Sequence, residues 1–380
     1  MKNYKKVNQV WFWQNMLTPH MGELATEYAK LGHRVTFISN QILSKDRLKL
    51  GWQAPKLFNV RFKLVKNKKD TLKLAENASI GTIHLVQGIR GNGIIKYAQQ
   101  IFRERHLNYW VLMETINNDG WQGIIKSILY RVLFFYWRKN INGVLAIGAK
   151  MPKWVVKHGI DKKRVYPFAY FLREKSNHLL KISSASNRVF RFIFVGQLIK
   201  RKRVDYLIRA LATLKELNFE LWVIGIGKEK IYLHALANEL IGDKVSWFDS
   251  QPMHLIPKLI NQADCLVLPS QHDGWGAVVS EALMVGTPVI CTDSCGSSVV
   301  VRASNYGHVV PVNNQDAFIE ALSAQFKSGL WSLSNRKRLA KWASCLGAKS
   351  GASYLAKILN YNKKDFNHII PPWKSNIKNR

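Results

Sequence analysis

Two acidic residues lie eight positions apart around a glycine-rich turn in the second half of the chain. The stretch runs from Leu268 to Ile290, and the candidate site residues within it are Asp273, Gly274, Trp275, Gly276, Ala277 and Glu281. The glycines let backbone N–H groups approach a ligand, and a helix that begins near Ala277 offers its positive end to phosphate or sugar oxygens. Glu281, about one turn into that helix, can accept hydrogen bonds from the paired hydroxyls of a ribose, and the loop residue Asp273 from those of a second sugar.

A second candidate site follows a strand-like run that ends at Val195. Gly196 stands at the end of this run, and the basic loop after it contains Arg201 and Lys202. Glycine permits close approach of the backbone, and lysine supplies a point charge, so the loop is suited to a pyrophosphate. Gly225 and Gly227 form a similar turn after the next strand, although that pair alone is a weak signal. For Lys202 and Arg201, the alternative is a solvated basic loop.

Strand-like and helix-like stretches alternate around these residues, which predicts an α/β fold with two doubly wound, Rossmann-like domains. The small, polar segment Lys181–Asn187 is the natural linker. We expect an N-terminal domain at residues 1–185, a C-terminal domain at 186–345, and a C-terminal helix and basic tail at 346–380. The tail crosses back to the N-terminal domain, touches lipid or is disordered. Ligands of such sheets bind at the carboxyl ends of the strands.

The predicted strands of the first half are Val7–Phe12, Val35–Ser39, Ile80–Val86, Tyr109–Met113 and Val144–Ile147. Those of the second half are Phe190–Val195, Glu220–Ile224, Val245–Phe248, Cys265–Leu268 and Val289–Cys291. The predicted helices include Gly22–Leu31, Val204–Leu217 and Val278–Val285.

The stretch from Leu268 to Ile290 resembles the motif of the retaining family-4 glycosyltransferases. In that motif two acidic residues eight apart bracket a Gly-aromatic-Gly segment, followed by Glu-Ala, Gly and Pro-Val-Ile. The resemblance is strong over residues 190–295 and loose over 1–180, and it implies the GT-B fold, in which two Rossmann-like domains face a cleft. It also implies that Glu281 holds the nucleotide ribose, and that Asp273 with the amides of Gly274–Ala277 holds the donor sugar.

The basic loop also resembles this family, with departures. Gly196, Leu198 and Lys202 are kept, whereas Gln197 replaces the usual Arg and Arg203 the usual Gly. The resemblance implies that Lys202 binds phosphate, and Arg201 is a candidate for the missing guanidinium. Asp273 replaces the usual Glu, and this shorter side chain bears on the choice of donor sugar.

The N-terminal half agrees less closely. Residues 18–35 resemble the first loop and helix of the family and its Gly-His-x-Val strand entry, but residues 14–21 lack the usual Gly-Gly pair. His20 is a candidate for an acceptor-side or phosphate contact, with a structural role at a helix start as the alternative. Glu114, just past a strand, is a candidate for the acceptor side.

The resemblance implies that a sugar passes from a nucleotide diphosphate sugar, UDP- or GDP-linked, to a lipid-linked or cell-surface polysaccharide such as lipopolysaccharide. Transfer would retain the anomeric configuration by same-face attack, with Lys202 and helix dipoles stabilising the departing diphosphate. The nucleotide sugar is the co-substrate, and no other cofactor is implied. Because the sequence has no Asp-x-Asp motif, we expect no requirement for a metal.

Two other functions compete with this interpretation. A nucleotide-sugar epimerase shares the architecture. It would need acid and base residues beside the donor sugar, and it would consume the donor without an acceptor. A nucleic-acid-binding protein would suit the net charge of +33. We expect no specific nucleic-acid partner, because the sequence shows no nucleic-acid module or stacking-aromatic pattern.

The positive charge lies mainly in the first half of the chain. Residues 1–185 contain 32 basic and 10 acidic residues, and residues 186–380 contain 25 and 14. Such a charge attracts nucleic acid, phosphorylated substrates or an anionic membrane surface. A basic loop at Arg61–Lys73 is better explained by a surface than by a core. Residues 121–138 have an apolar helical stripe with interspersed cations, and they form either an interfacial helix on an anionic leaflet or a core helix.

The four cysteines (Cys265, Cys291, Cys295 and Cys345) lack the second pair or the nearby histidines of a zinc site, and we expect reduced thiols. The apolar run Val10–Trp13 is too short for the core of a signal peptide. No apolar stretch reaches the roughly 18 residues typical of a spanning helix. We therefore expect a cytoplasmic protein that is peripheral on the inner face of the cell membrane.

Overall fold

A computed structural model describes residues 9–116, 120–174, 188–360 and 369–375. The chain forms two compact units. The described parts of Met1–Ser44, Ala54–Arg173 and Leu346–Ser375 form the first unit, and those of Lys45–Gln53 and Glu174–Cys345 form the second. The predicted linker Lys181–Asn187 lies outside the described residues.

The first unit contains a parallel sheet of seven strands in the order β3-β2-β1-β4-β5-β6-β7. Its strands are β1 (Gln9–Gln14), β2 (Arg34–Ser39), β3 (Val60–Leu64), β4 (Ile83–Gln87), β5 (Tyr109–Glu114), β6 (Ile141–Ile147) and β7 (Val165–Phe168). The central strands are almost continuously apolar because helices cover both faces of a doubly wound sheet.

The helices of the first unit are α1 (Pro19–Lys30), α3 (Lys68–Glu76), α4 (Ile94–Glu104), α5 (Gly120–Trp137), α6 (Met151–Lys157), α14 (Ala348–Leu359) and α15 (Pro372–Ser375). Helix α1 begins with a proline at its first position, where the missing N–H costs no hydrogen bond. Helix α14 packs against α1 and is fixed to β7 by the hydroxyl of Tyr354, which donates to the carbonyl of Pro167 at 2.9 Å.

The second unit contains a parallel sheet of six strands in the order β10-β9-β8-β11-β12-β13. Its strands are β8 (Phe190–Val195), β9 (Phe219–Ile224), β10 (Val245–Phe248), β11 (Cys265–Leu268), β12 (Val289–Thr292) and β13 (Gly307–Val310). Its helices are α2 (Lys45–Lys49), α7 (Val204–Ala212), α8 (Lys230–Leu240), α9 (Ile256–Gln262), α10 (Ala277–Met284), α11 (Ser298–Ser304), α12 (Gln315–Lys327) and α13 (Leu333–Ala343). The prediction of two doubly wound α/β sheets is confirmed.

A buried ion cluster fixes the end of the second unit. The guanidinium of Arg336 donates to Asp264 at 3.0 Å and to the carbonyls of Asn261 and Ala263 at 2.8 and 2.7 Å. Arg188 donates to the other carboxylate oxygen of Asp264 at 2.7 Å. This cluster ties α13 to the strands β8 and β11 through a single carboxylate.

The interpretation of Arg61–Lys73 as a loop was wrong. Its first residues belong to the edge strand β3, and its last residues to α3. The side chain of Asn67 accepts from the amide of Asp70 at 2.8 Å and so caps α3, while Thr71 and Ala75 bury its inner face. A capped helix and an edge strand can both be strongly basic, because each leaves one side in water.

Two predicted boundaries were also wrong. The strand predicted from Ile80 begins only at Ile83, after a turn in which the amide of Thr82 bonds the carbonyl of Ser79 at 2.9 Å. The helix predicted to reach Leu217 ends at Ala212.

The orientation of α5 shows which side of residues 120–137 is buried. The apolar stripe faces outward, and the core contacts come instead from Gly123, Tyr130 and Phe134 on the opposite side. Most of the stripe is therefore exposed, although Leu133 packs against the core and the other side of the helix is part of it. Among the described residues, no helix is both long and apolar enough to cross a membrane.

Candidate functional site

Two loops of the second unit meet where the strand order reverses. Strand β8 pairs with β9 on one side and with β11 on the other, so the loops that follow β8 and β11 leave the same edge of the sheet side by side. Gly196 begins the first loop, and residues 269–276 form the second. Crevices at such switch points are the usual ligand sites of open α/β sheets.

The predicted phosphate lysine and the predicted sugar acid are paired with each other. The ammonium of Lys202 donates a hydrogen bond to Oδ2 of Asp273, and the side chains are only 11% and 14% exposed. The hydroxyl of Ser270 also donates to Oδ2, at 3.3 Å. Removal from water strengthens the attraction between these charges and makes either one costly to leave alone.

Arg201 brings a second cation to the same loop pair. Its guanidinium donates to the carbonyl of His272 at 2.6 Å and lies 3.8 Å from Oδ1 of Asp273. Its side chain is 41% exposed, so it can reorient toward a ligand. The structure thus brings Arg201 and Lys202 together with Asp273, which is at least 71 residues further along the chain.

Gly225 and Gly227 are required by close backbone approach between the loops after β8 and β9. A Cβ atom on Gly225 would lie 1.9 Å from the carbonyl oxygen of Gly196, and one on Gly227 would lie 2.1 Å from that of Leu198. The amides of Gly196 and Leu198 donate across the same gap at 3.0 and 2.9 Å. These glycines therefore hold the Gly196 loop in place.

Helix α10 begins directly after the glycine-rich turn. Gly276 is its N-cap with φ of +83°, a conformation that favours glycine. The first amides of a helix have no acceptor within that helix, so they point toward the space in front of Gly274–Ala277. Glu281 lies one turn further on and is half-buried. The indole of Trp275 is buried and donates to Ser280 at 3.1 Å, so a contact of Trp275 with a ligand would involve its backbone.

The loop after β12 holds the glycine-rich turn and was missed from the sequence. The amide of Gly296 donates to the carbonyl of Asp273 at 3.0 Å, and that of Ser297 to the carbonyl of Trp275 at 2.8 Å. A Cβ atom on Gly296 would lie 2.0 Å from the carbonyl oxygen of Gly274. The sequence signal that could have revealed this loop is Gly296, a glycine in a polar turn after the predicted strand Val289–Cys291.

Arg203 occupies the position at which the resembling family has glycine, and its backbone is left-handed, with φ of +54°. Such a conformation costs a non-glycine residue about 1 kcal/mol or more. Contacts of the side chain offset this cost: the guanidinium donates to Asn313 at 2.9 Å and lies 4.7 Å from the centre of the Tyr206 ring.

In the first unit, Tyr170 joins the two candidate acceptor-side residues. The ring centres of His20 and Tyr170 are 4.0 Å apart, and the hydroxyl of Tyr170 donates to the carboxylate of Glu114. His20 is the second residue of α1 and Glu114 ends β5, so both lie at the carboxyl edge of the sheet. Sequence analysis missed Tyr170, which follows β7 without a recognisable motif. Nearby, burial raises the pKa of Glu23, which lies 3.8 Å from Arg173.

The described residues contain no group of three or more His, Cys, Asp and Glu side chains that could hold a metal ion.

Residues 178–343 match the family model described as "Glycosyl transferases group 1". The lipopolysaccharide glucosyltransferase WaaG of Escherichia coli (strain K12) is 34% identical over 154 residues, which are 40% of this chain and 37% of WaaG. The lipopolysaccharide core biosynthesis glycosyltransferase LpsE of Rhizobium meliloti (strain 1021) is 31% identical over 132 residues, 34% of this chain and 37% of LpsE. The match thus spans a little over a third of these two relatives.

Solved structures resemble the chain over nearly its whole length. The lipopolysaccharide outer core galactosyltransferase WaaB has a TM-score of 0.68 at 15% identity, with 92% of this chain and 99% of WaaB covered. HepE from Anabaena in complex with UDP has a TM-score of 0.70 at 13% identity, with 92% of this chain and 99% of HepE covered. At these identities the likeness concerns the fold. The chain has the GT-B fold, and its second unit contains the segment that is similar to glycosyl transferases group 1.

Proposed function

We propose that this protein is a glycosyltransferase that takes a sugar from a nucleotide diphosphate sugar. The observation that carries the proposal is the pairing of Lys202 with Asp273 beside the N-terminus of α10, at the switch point of the second sheet. A cation, free helix amides and carboxylates in one crevice suit a diphosphate with a sugar on each side. The family match over residues 178–343 includes all of these residues.

In the proposed reaction, Glu281 holds the nucleotide ribose, and Asp273 with the amides of Gly274–Ala277 holds the donor sugar. Lys202, assisted by Arg201, stabilises the negative charge that develops on the leaving diphosphate. The acceptor hydroxyl attacks from the face that the diphosphate leaves, which retains the anomeric configuration. Proton NMR of the first-formed product tests this stereochemistry, and an inverted anomer would contradict it.

We further propose a lipid-linked or cell-surface polysaccharide as the acceptor, with His20 and Glu114 on the acceptor side. The contacts of Tyr170 with both residues support this assignment. The lipopolysaccharide enzymes among the similar proteins support the acceptor class. We place the reaction at the cytoplasmic face of the membrane, which the four buried, unpaired cysteines support, because thiols stay reduced there.

A thermal-shift screen against UDP, GDP, ADP and dTDP without metal tests the donor site. One nucleotide should raise the melting temperature selectively, because a ligand at about 100 times its Kd adds about 2.7 kcal/mol of stability. Lys202→Ala and Glu281→Ala should each abolish most of this shift. Lys215→Ala and Glu216→Ala, at exposed positions of the same unit, are the matched controls. Full shifts in both site variants would remove the assignment.

Incorporation of labelled sugar into a total lipid extract of the host membranes tests the acceptor side. Tyr170→Phe and Glu114→Gln should lower incorporation at least about tenfold while the nucleotide shift stays unchanged, because both residues are in the first unit. Tyr232→Phe, at an exposed tyrosine, serves as the control. Donor consumption without acceptor would instead favour the epimerase.

A further inference from the structure

Helix α5 presents a continuous apolar face to the solvent. Its exposed apolar side chains range from 40% exposure at Leu129 to 69% at Trp121. They are Trp121, Ile124, Ile125, Ile128, Leu129, Val132, Phe135 and Tyr136. Contiguous exposed apolar patches of this kind mark interaction sites in folded proteins.

The apolar face has cations on both edges. With about 100° of rotation and about 1.5 Å of rise per residue, the eight side chains cover an arc of about 140° over a length of about 24 Å. On the same helical wheel Lys126 falls beyond one edge of the arc and Arg131 lies on the other, and α5 contains no acidic residue. The ends of the helix are aromatic, with Trp121 at the start and Trp137 at the finish. A wide apolar arc with lysine and arginine at its edges is the pattern of a helix that lies in a membrane interface.

The opposite side of α5 is fixed to the first unit, so the apolar arc is preformed. The ring of Tyr130 packs edge-on against Trp154, with centres 5.0 Å apart, and Phe134 is completely buried. The hydroxyl of Ser127 and Nε2 of His158 are 2.7 Å apart. Docking therefore needs no rearrangement of the helix.

The positive charge around α5 indicates the kind of partner that the apolar face binds. From Gly120 to Ile160 the chain contains seven basic residues and no acidic residue. A second copy of the chain would bring the same positive surface against itself, and a nucleic acid would leave the apolar arc uncovered. An anionic lipid bilayer matches both features, because it offers negative headgroups above an apolar interior.

We propose that α5 docks the first unit on anionic phospholipid, with its apolar arc inserted at the boundary between headgroups and acyl chains. Lys126 and Arg131 then lie at headgroup level, and Trp121 and Tyr136 lie in the interfacial zone that such aromatic rings favour. The docking requires neither donor nor acceptor, so it stands or falls separately from the proposed transfer reaction.

Vesicle co-flotation of the full-length chain tests the docking. Vesicles of phosphatidylglycerol and phosphatidylcholine should bind the protein, and vesicles of phosphatidylcholine alone should bind it at least about tenfold more weakly, because anionic lipid attracts each cation separately. Ile128→Ser/Val132→Ser should lower binding to the mixed vesicles at least about tenfold. Lys126→Gln/Arg131→Gln should lower it roughly 25-fold at low salt, about fivefold for each cation.

Matched controls keep the test specific. Ile80→Ser/Ile231→Ser changes side chains that are 85% and 87% exposed elsewhere, and Lys337→Gln/Lys341→Gln removes two exposed cations from the second unit. Both controls should bind as the wild type does, and every variant should keep its melting temperature and nucleotide shift. Equal losses in the controls would mean diffuse electrostatic binding and would overturn the proposal. Self-association without lipid that Ile128→Ser/Val132→Ser abolishes would overturn it in favour of a second copy.

Discussion

The ammonium of Lys202 donates a hydrogen bond to the carboxylate of Asp273 across the switch point of the second sheet. The pair unites two groups to which we assign different parts of the donor, the diphosphate and the sugar. A diphosphate that binds to Lys202 must therefore compete with the carboxylate of Asp273. This competition can be measured as a change in the affinity for the diphosphate when the carboxylate is removed.

Asp273→Asn should bind the free nucleoside diphosphate more tightly than the wild type, because the competing negative charge is gone. We expect a gain of about 1–2 kcal/mol, since charged hydrogen bonds in partly buried sites have this order of strength. Sugar transfer should fall by at least about tenfold. Isothermal titration calorimetry with the nucleotide selected by thermal shift measures the affinity.

Asp249→Asn is the matched control for this variant. Asp249 also accepts from a lysine, Lys230, at 2.6 Å, but it is 70% exposed. Asp249→Asn should leave the affinity for the nucleoside diphosphate unchanged. A lower affinity of Asp273→Asn for the diphosphate would contradict the competition.

Gly227→Ala should destabilise the second unit by about 1–3 kcal/mol and weaken nucleotide binding. The added Cβ would lie 2.1 Å from the carbonyl oxygen of Leu198, so the Gly196 loop must move. Gly81→Ala, where no atom lies within 4 Å of the added carbon, should be nearly neutral. Urea unfolding measures both changes, and equal stabilities would show that the loops are not packed as described.

Arg336→Ala should cost about 3–5 kcal/mol, because it leaves Asp264 partly uncompensated and several carbonyls without a donor. Arg338→Ala, two residues along the same helix and exposed, should cost less than about 0.5 kcal/mol. Chemical denaturation gives the difference. A small effect at Arg336 would mean that Arg188 alone satisfies Asp264.

The buried His84 should make the first unit sensitive to acid. Burial lowers the pKa of His84 to about 3, with a further contribution from Arg105. Below the ordinary value near 6.5 the unfolded chain binds a proton that the folded chain does not. Stability therefore falls as the pH drops from about 6.5 toward 3, by up to about 1.4 kcal/mol per pH unit.

His84→Gln should flatten this dependence, and its amide oxygen can still accept the 3.2 Å hydrogen bond from the indole of Trp13. Urea unfolding at a series of pH values from about 7.5 to 5 gives the slopes. His254→Gln, at an exposed histidine, should keep the wild-type slope. Parallel curves for the wild type and His84→Gln would show that another group causes the acid sensitivity.

The apolar runs were sufficient to predict the inner strands of both sheets, because parallel strands covered on two faces must be nearly all apolar, but the edge strands β3, β7 and β13 were not predicted. The residues from Asp273 to Glu281 were likewise sufficient to predict a loop followed by the start of a helix. Both features depend on local properties, which are the conformation of the glycines and the capping of the helix. Edge elements were harder to predict. Strand β3 and helix α3 keep one side in water, so their lysines and arginines concealed them.

The tertiary structure alone decided which residues that are distant in sequence lie next to each other. The sequence by itself determined which residues could bind a phosphate or a sugar, but the pairing of Lys202 with Asp273 depends on β8 and β11 being neighbours. The joining of His20 and Glu114 through Tyr170 depends in the same way on sheet order. The sequence also determined that α5 has an apolar stripe. Only packing decided that Tyr130 and Phe134 face inward and the stripe outward, because a helix that is apolar on several sides has more than one face to bury.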